Sequence, residues 1–330
     1  MGNGIGAIGW ARGTALAALT GAALFVLLAA GPARAGTYDV WSCRGPGGEP
    51  LPAQAWSLTT FDEPPGGGIV LDDACASGGA LTLAIDPDVR FDPPLKPTAL
   101  AVLDLPAGVR VRSYDLRWSL RTAPSGLASD FYYAAGVRER AGGAPSDWGC
   151  ASVQRPQFPC TERGDPDDPD HPSNEYARSG LQLDGLELFA GCTTDGCTGL
   201  LPLLRDGEVA AELKLFGARV ELEDAAAPAL TGLGGSLASG QPISGTAALV
   251  VEGADAGGGI AAVSLSVDGG PPQMQALQGS DGACAVPFTR AQPCPPEVAR
   301  AFAVEAGELT PGPHSAAGTI VDAAGNVTSF

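Results

Sequence analysis

Beyond an apolar run near its amino terminus, the chain holds no stretch of a dozen residues in which apolar side chains recur at the 3.6-residue spacing of a helix. Short alternating runs stand there instead, each cut by Gly, Pro, Asp or Ser. With 47 glycines and 29 prolines in 330 residues, long helices have no room and strands must be short. This punctuation predicts an all-β fold of the sandwich or barrel kind.

One passage organises the rest. In residues 213–228, Leu213 and Leu215 occupy odd positions, whereas Phe216, Ala218, Val220 and Leu222 occupy even ones. Strand side chains alternate faces, so a change of parity needs an extra residue, and Gly217 is placed for a bulge. The strand then breaks at Asp224-Ala-Ala-Ala-Pro228. After it the composition shifts to Ala, Gly, Ser and Val, with no tryptophan or tyrosine. The reading is two β-sandwich domains, 36–223 and 224–330, the second of the size of an immunoglobulin-like sandwich.

Residues 1–35 read as a signal peptide. Arg12 precedes an apolar run at 14–30, and Ala33-Arg34-Ala35 supplies the small residues a signal peptidase requires. The run is short for a membrane span and is followed by Gly31-Pro32. The expected product is secreted, extracellular and without a membrane span after cleavage.

The formal charge is −18, and Lys96 and Lys214 are the only lysines. Such a surface repels phosphate backbones, which argues against a nucleic-acid partner. The eight cysteines fall in near pairs: Cys43 with Cys75, Cys150 with Cys160, Cys192 with Cys197, and Cys284 with Cys294. In an exported chain these read as four local disulfides, each contributing about 2–4 kcal/mol by restricting the unfolded chain. A zinc site is disfavoured, because the only histidines are His171 and His314.

Alternation assigns faces. Tyr114, Leu116, Trp118 and Leu120 fall on one side of a strand and Asp115, Arg117, Ser119 and Arg121 on the other. The first set reads as core, together with Trp41 and Phe131. The second is either solvated surface or the floor of a binding concavity. Residues 163–174, rich in Asp and Pro, read as an exposed loop that does not pack.

The last third carries Asp224-Ala-Ala-Ala-Pro228, Gly257-Gly-Gly-Ile260, Val263-Ser-Leu-Ser-Val-Asp-Gly269, Gly312-Pro-His314 and Val321-Asp-Ala-Ala-Gly-Asn326. In these it resembles the bacterial immunoglobulin-like repeats of exported surface proteins. From Gly36-Thr-Tyr-Asp-Val-Trp-Ser-Cys43 onward, the chain also resembles a group of exported actinobacterial proteins. In them a concanavalin-A-like, lectin-type jelly roll precedes one or more such repeats. The resemblance implies export and a binding architecture, and supplies no activity.

The chemistry is sparse. No Gly-x-Ser-x-Gly elbow accompanies either histidine, and His314 reads as a side chain bonded to a turn. A glycoside hydrolase of lectin-type fold is the enzymatic alternative. Glu221 and Glu223, next to Asp224, have the strand spacing for a carboxylate pair but sit at the domain junction, and Asp184 and Glu187 have the wrong parity. Non-catalytic sugar binding needs an aromatic platform with polar partners, for which Tyr132, Trp148, Trp56, Arg117 and Arg121 are the candidates. Calcium has hard ligands in Asp165, Asp167, Asp168, Asp170 and Asn174, without the EF-hand order, and in Asp255 and Asp322 at turns of the second domain. The expected function is a secreted, non-catalytic binding protein that engages a glycan or cell-surface component through its first domain. A structural surface or adhesion protein with no saccharide ligand is the further alternative.

Overall fold

The computed structural model describes residues 35–63, 67–86, 96–123, 133–152, 156–192, 209–277 and 284–330. The leader (save its last residue), Phe131, Tyr132 and Cys197 lie outside them. The described chain is all-β. Its helical pieces are single 3₁₀ turns, such as Cys75–Ser77 and Pro172–Asn174. Among the described residues no helix is long and apolar enough to cross a membrane.

The first strands are β1 (Gly36–Arg44), β2 (Pro50–Leu51), β3 (Trp56–Phe61), β4 (Ile69–Asp73), β5 (Leu81–Ile85) and β6 (Thr98–Leu103). Then come β7 (Val109–Thr122), β8 (Tyr133–Arg140), β9 (Ser146–Ala151), β10 (Glu162–Arg163), β11 (Glu175–Arg178), β12 (Gly185–Cys192) and β13 (Ala211–Asp224). They make an eight-stranded and a five-stranded sheet, the latter in the order β3-β6-β12-β8-β9. The inner faces share one core that includes Tyr114, Trp118, Leu120, Leu186, Leu188, Leu213 and Leu215. Burying each such leucine is worth about 1.5–3 kcal/mol.

After Pro228 follow β14 (Ala229–Gly234), β15 (Thr246–Ala254), β16 (Ile260–Val267), β17 (Gln273–Ala276), β18 (Glu297–Glu305), β19 (Ala316–Asp322) and β20 (Val327–Ser329). These form a three-stranded sheet, β14-β15-β18, and a four-stranded one, β17-β16-β19-β20. A second core, with Val251, Ile260, Val263, Phe302 and Ile320, lies among them.

Strand β13 is the axis of the larger sheet. Along one edge it pairs with β7 throughout; along the other it pairs with β5 through residues 211–215 and with β1 through residues 218–224. The handover coincides with a bulge: Leu215 faces Trp118 and Gly217 faces Arg117, so Phe216 is the extra residue. Before it Leu213 and Leu215 point inward; after it Ala218, Val220 and Leu222 do. The expected change of parity is thus the seam between two partner strands.

Among the described residues three of the sequential disulfides are seen whole, Cys43–Cys75, Cys150–Cys160 and Cys284–Cys294, and the partner expected for Cys192 lies outside them. The loop stapled by the last one lies against β1. The Trp41 amide donates to the Phe288 carbonyl (2.8 Å), and the Tyr38 hydroxyl donates to the Ala291 carbonyl. At the far end, Asn326 Oδ1 accepts from the Gly36 amide (3.0 Å).

Candidate functional site

The outer face of the larger sheet carries a groove of about 620 Å³. Register builds its floor. Trp41 of β1 stands opposite Arg219 of β13, Arg219 opposite Asp115 of β7, and Asp115 opposite Ala177 of β11. The next row sets Gly217 beside Arg117 and Arg117 beside Glu175. Gly217 keeps the floor open, because a Cβ there would stand 3.2 Å from the Arg44 Cβ.

Charge is ordered along this face. Arg219 lies over the Trp41 ring (6.0 Å to its centroid) and bridges Asp39 (3.0 Å) and Asp115 (3.2 Å). Arg44 and Arg117 both pair with Asp170, and Arg117 also reaches Glu175 (3.0 Å). Those guanidinium groups, Arg44 foremost, hold the Asp170 carboxyl below its usual range. The result is one aromatic side chain flanked by forked donors and carboxylate acceptors.

Residues 167–173 are exposed, yet the loop 163–174 is self-organised around Asn174, which is fully buried. Its side chain accepts from the Asp165 amide (2.6 Å) and donates to the carbonyls of Asp165 (3.2 Å) and Asp168 (2.8 Å). Asp165 in turn accepts from the amides of Asp167 and Asp168. The loop therefore packs upon itself, contrary to its composition, because one amide side chain serves backbone groups on both of its limbs.

The sequence-derived ligand residues do not converge. Arg117 lines the groove. Arg121 shares its face, but is bound to Glu212 through Nε (3.1 Å) and Nη2 (2.7 Å). Trp148 stands at a different edge beneath Arg178 (5.0 Å), which pairs with Glu139 (3.3 Å). Trp56 belongs to the core, 6% exposed, with its indole donating to Ser42 Oγ (3.1 Å). Tyr132 lies outside the described residues.

Trp41 was missed by equating aromatic with core. The signal was present, since Tyr38 and Val40 are inward and alternation turns Trp41 outward.

The chain matches no protein-family model and no curated protein.

The carboxylate pairs considered for hydrolysis are engaged elsewhere. Glu221 accepts from Ser113 Oγ (2.8 Å), Glu223 pairs with Arg112 (3.0 Å), and Glu187 is held by Arg140 (2.6 Å). Asp184 accepts from the Gly142 amide (3.3 Å).

Asp224 turns to the opposite face from Glu221 and Glu223. There it meets Asp255 and Asp322, and one oxygen of each lies within 4.8 Å of the others. At an effective dielectric of about 20, two charges so placed repel by at least roughly 3 kcal/mol. Burial first, and the neighbouring carboxylates with it, push the Asp255 and Asp322 carboxyls above their usual range. Burial and the same three charges also keep the Tyr38 phenol protonated.

Proposed function

We propose that the protein is an exported, non-catalytic binding protein, and that the outer-face groove takes a glycan or another cell-surface component. The observation that carries this reading is the register row Trp41–Arg219–Asp115, with Arg117 and Glu175 beside it. It sets an aromatic face among paired donors and acceptors on one sheet face. Sugars are bound in this way, through apolar ring faces on an aromatic and hydroxyls on forked polar groups. Three disulfides accord with an oxidising compartment.

The test is a glycan-array screen of the full exported chain, followed by calorimetry with any saccharide retained. Binding that falls at least tenfold in both Trp41→Ala and Arg117→Ala supports the groove. No saccharide retained, with or without calcium, leaves a structural surface protein in its place. Turnover of a polysaccharide lost in Glu175→Gln indicates a hydrolase instead.

A further inference from the structure

Three strand ends converge where the first pair of sheets meets the second. Asp224 closes β13, Asp255 directly follows β15, and Asp322 closes β19. The three residues are 1%, 5% and 2% exposed. We propose that Asp224, Asp255 and Asp322 form a calcium site that ties the two pairs of sheets together.

The hydrogen bonding around the three carboxylates is consistent with a shared cation. Asp224 accepts from the amides of Ala226 (3.0 Å) and Gly258 (2.8 Å). Asp322 accepts from the Asn326 amide and from Asn326 Nδ2 (both 2.8 Å), and Asp255 Oδ2 accepts from the Gly259 amide (2.7 Å). Amide donors favour the ionised carboxylate. The Gly257 amide also acts on the Asp255 carboxylate, but no donor reaches Asp255 Oδ1 with hydrogen-bond geometry, and among the described residues it is the one buried carboxylate oxygen so placed. A buried carboxylate oxygen without a donor is costly, and a bound cation is a counter-charge that offsets that cost. No ion pair found among the described residues reaches any of the three aspartates.

The donor set selects the ion. All donors are oxygen, which suits a hard cation and not zinc or copper. One oxygen from each aspartate lies within 4.8 Å of the others, close enough for all three to share one hard cation. Calcium also accepts the irregular geometry that three unrelated strand ends impose, whereas magnesium requires a near-ideal octahedron. The support around the site is rigid. A Cβ on Gly257 would lie 1.8 Å from Asp224 Oδ2, and Asn326 Nδ2 donates to the carbonyls of Asp224 and Ala226 (both 3.1 Å).

The experiment is calorimetric titration of the full exported chain, stripped with a chelator, using calcium chloride and, separately, magnesium chloride. The expected result is one calcium per chain at this site, bound at least tenfold more tightly than magnesium, with a thermal midpoint that rises with calcium concentration. Asp255→Asn is expected to weaken calcium binding at least tenfold. The double variant Asp167→Asn/Asp168→Asn in the acidic loop is expected to leave it unchanged. In chelator, Asp255→Asn should unfold no earlier than the wild type, which separates a lost site from a lost fold; should it fail to fold, Asp224→Asn replaces it. The proposal is overturned by the absence of saturable calcium binding, by equal affinity for magnesium, by full affinity in both aspartate variants, or by loss of binding in the loop variant alone.

Discussion

Asn326 Nδ2 donates to the main-chain carbonyl of Asp224 at 3.1 Å, across 102 residues of sequence. The same nitrogen serves the Ala226 carbonyl and Asp322 Oδ2, while its partner oxygen accepts from Gly36. A single side chain in the last turn thus engages the first strand, the end of β13 and the end of β19. Asn326→Ala is expected to cost about 2–3 kcal/mol, the sum of several net hydrogen bonds partly shielded from water. Urea denaturation measures it.

Crowding at the same junction gives a second prediction. Gly257 has no room for a methyl group, its Cβ position lying 1.8 Å from Asp224 Oδ2, whereas nothing approaches Gly143 within 4 Å. Gly257→Ala is expected to destabilise by about 1–3 kcal/mol. Gly143→Ala should be near neutral, within about 0.5 kcal/mol. The difference between their thermal midpoints tests the close approach.

Titration singles out His314. Its Nε2 faces the Thr310 carbonyl (2.7 Å) and its Nδ1 the Asp268 carboxylate, so both ring nitrogens face acceptors, an arrangement that favours the imidazolium. Asp268, then the Thr310 carbonyl, raise the His314 pKa above 6.5, while the Ser315 amide and His314 lower that of Asp268. The histidine contribution to stability is complete below the ordinary histidine pKa and is lost as pH rises through the raised value. The aspartate contribution is present above the ordinary carboxylate range and is lost as pH falls through the lowered value. The pair is therefore intact between those limits. NMR titration of the ring should give a pKa above 6.5 that returns toward it in Asp268→Asn.

Arg121 distinguishes a structural from a ligand-binding arginine. Glu212 beneath it is 7% exposed, and both of its hydrogen bonds to Arg121 reach one oxygen. Arg121→Ala strands that carboxylate and is expected to cost about 1–3 kcal/mol. Adding Glu212→Gln should recover much of the loss. A double-mutant cycle by denaturation gives the coupling, and saccharide affinity should stay within twofold.

What the sequence made legible was periodic. Alternation placed Tyr114, Leu116, Trp118 and Leu120 inside, and all are 2% exposed or less. The parity break foretold the bulge, because a period of two admits no other remedy. The candidate sites were less legible. Trp56 and Trp148 were chosen for residue type, yet the first is core and the second, though exposed, stands outside the groove that Trp41 lines. Trp41 obeys the same alternation as its neighbours but was assigned by its hydrophobicity. Asp224, Asp255 and Asp322 stand far apart in sequence, and no local pattern reports that three strands end at one point.

The bond between Gly36 and Asn326 brings the two ends of the described fold side by side. Phe330 lies only four residues beyond Asn326, about 13 Å when extended. The fold is thus nearly a closed ring of chain. A permuted gene that joins these ends through a short glycine linker, and begins instead at the exposed Gly142–Gly143 turn, would keep every sheet ladder intact. By the same adjacency, a tether attached at either end would hold the Trp41 groove at nearly the same height above whatever surface it is fixed to.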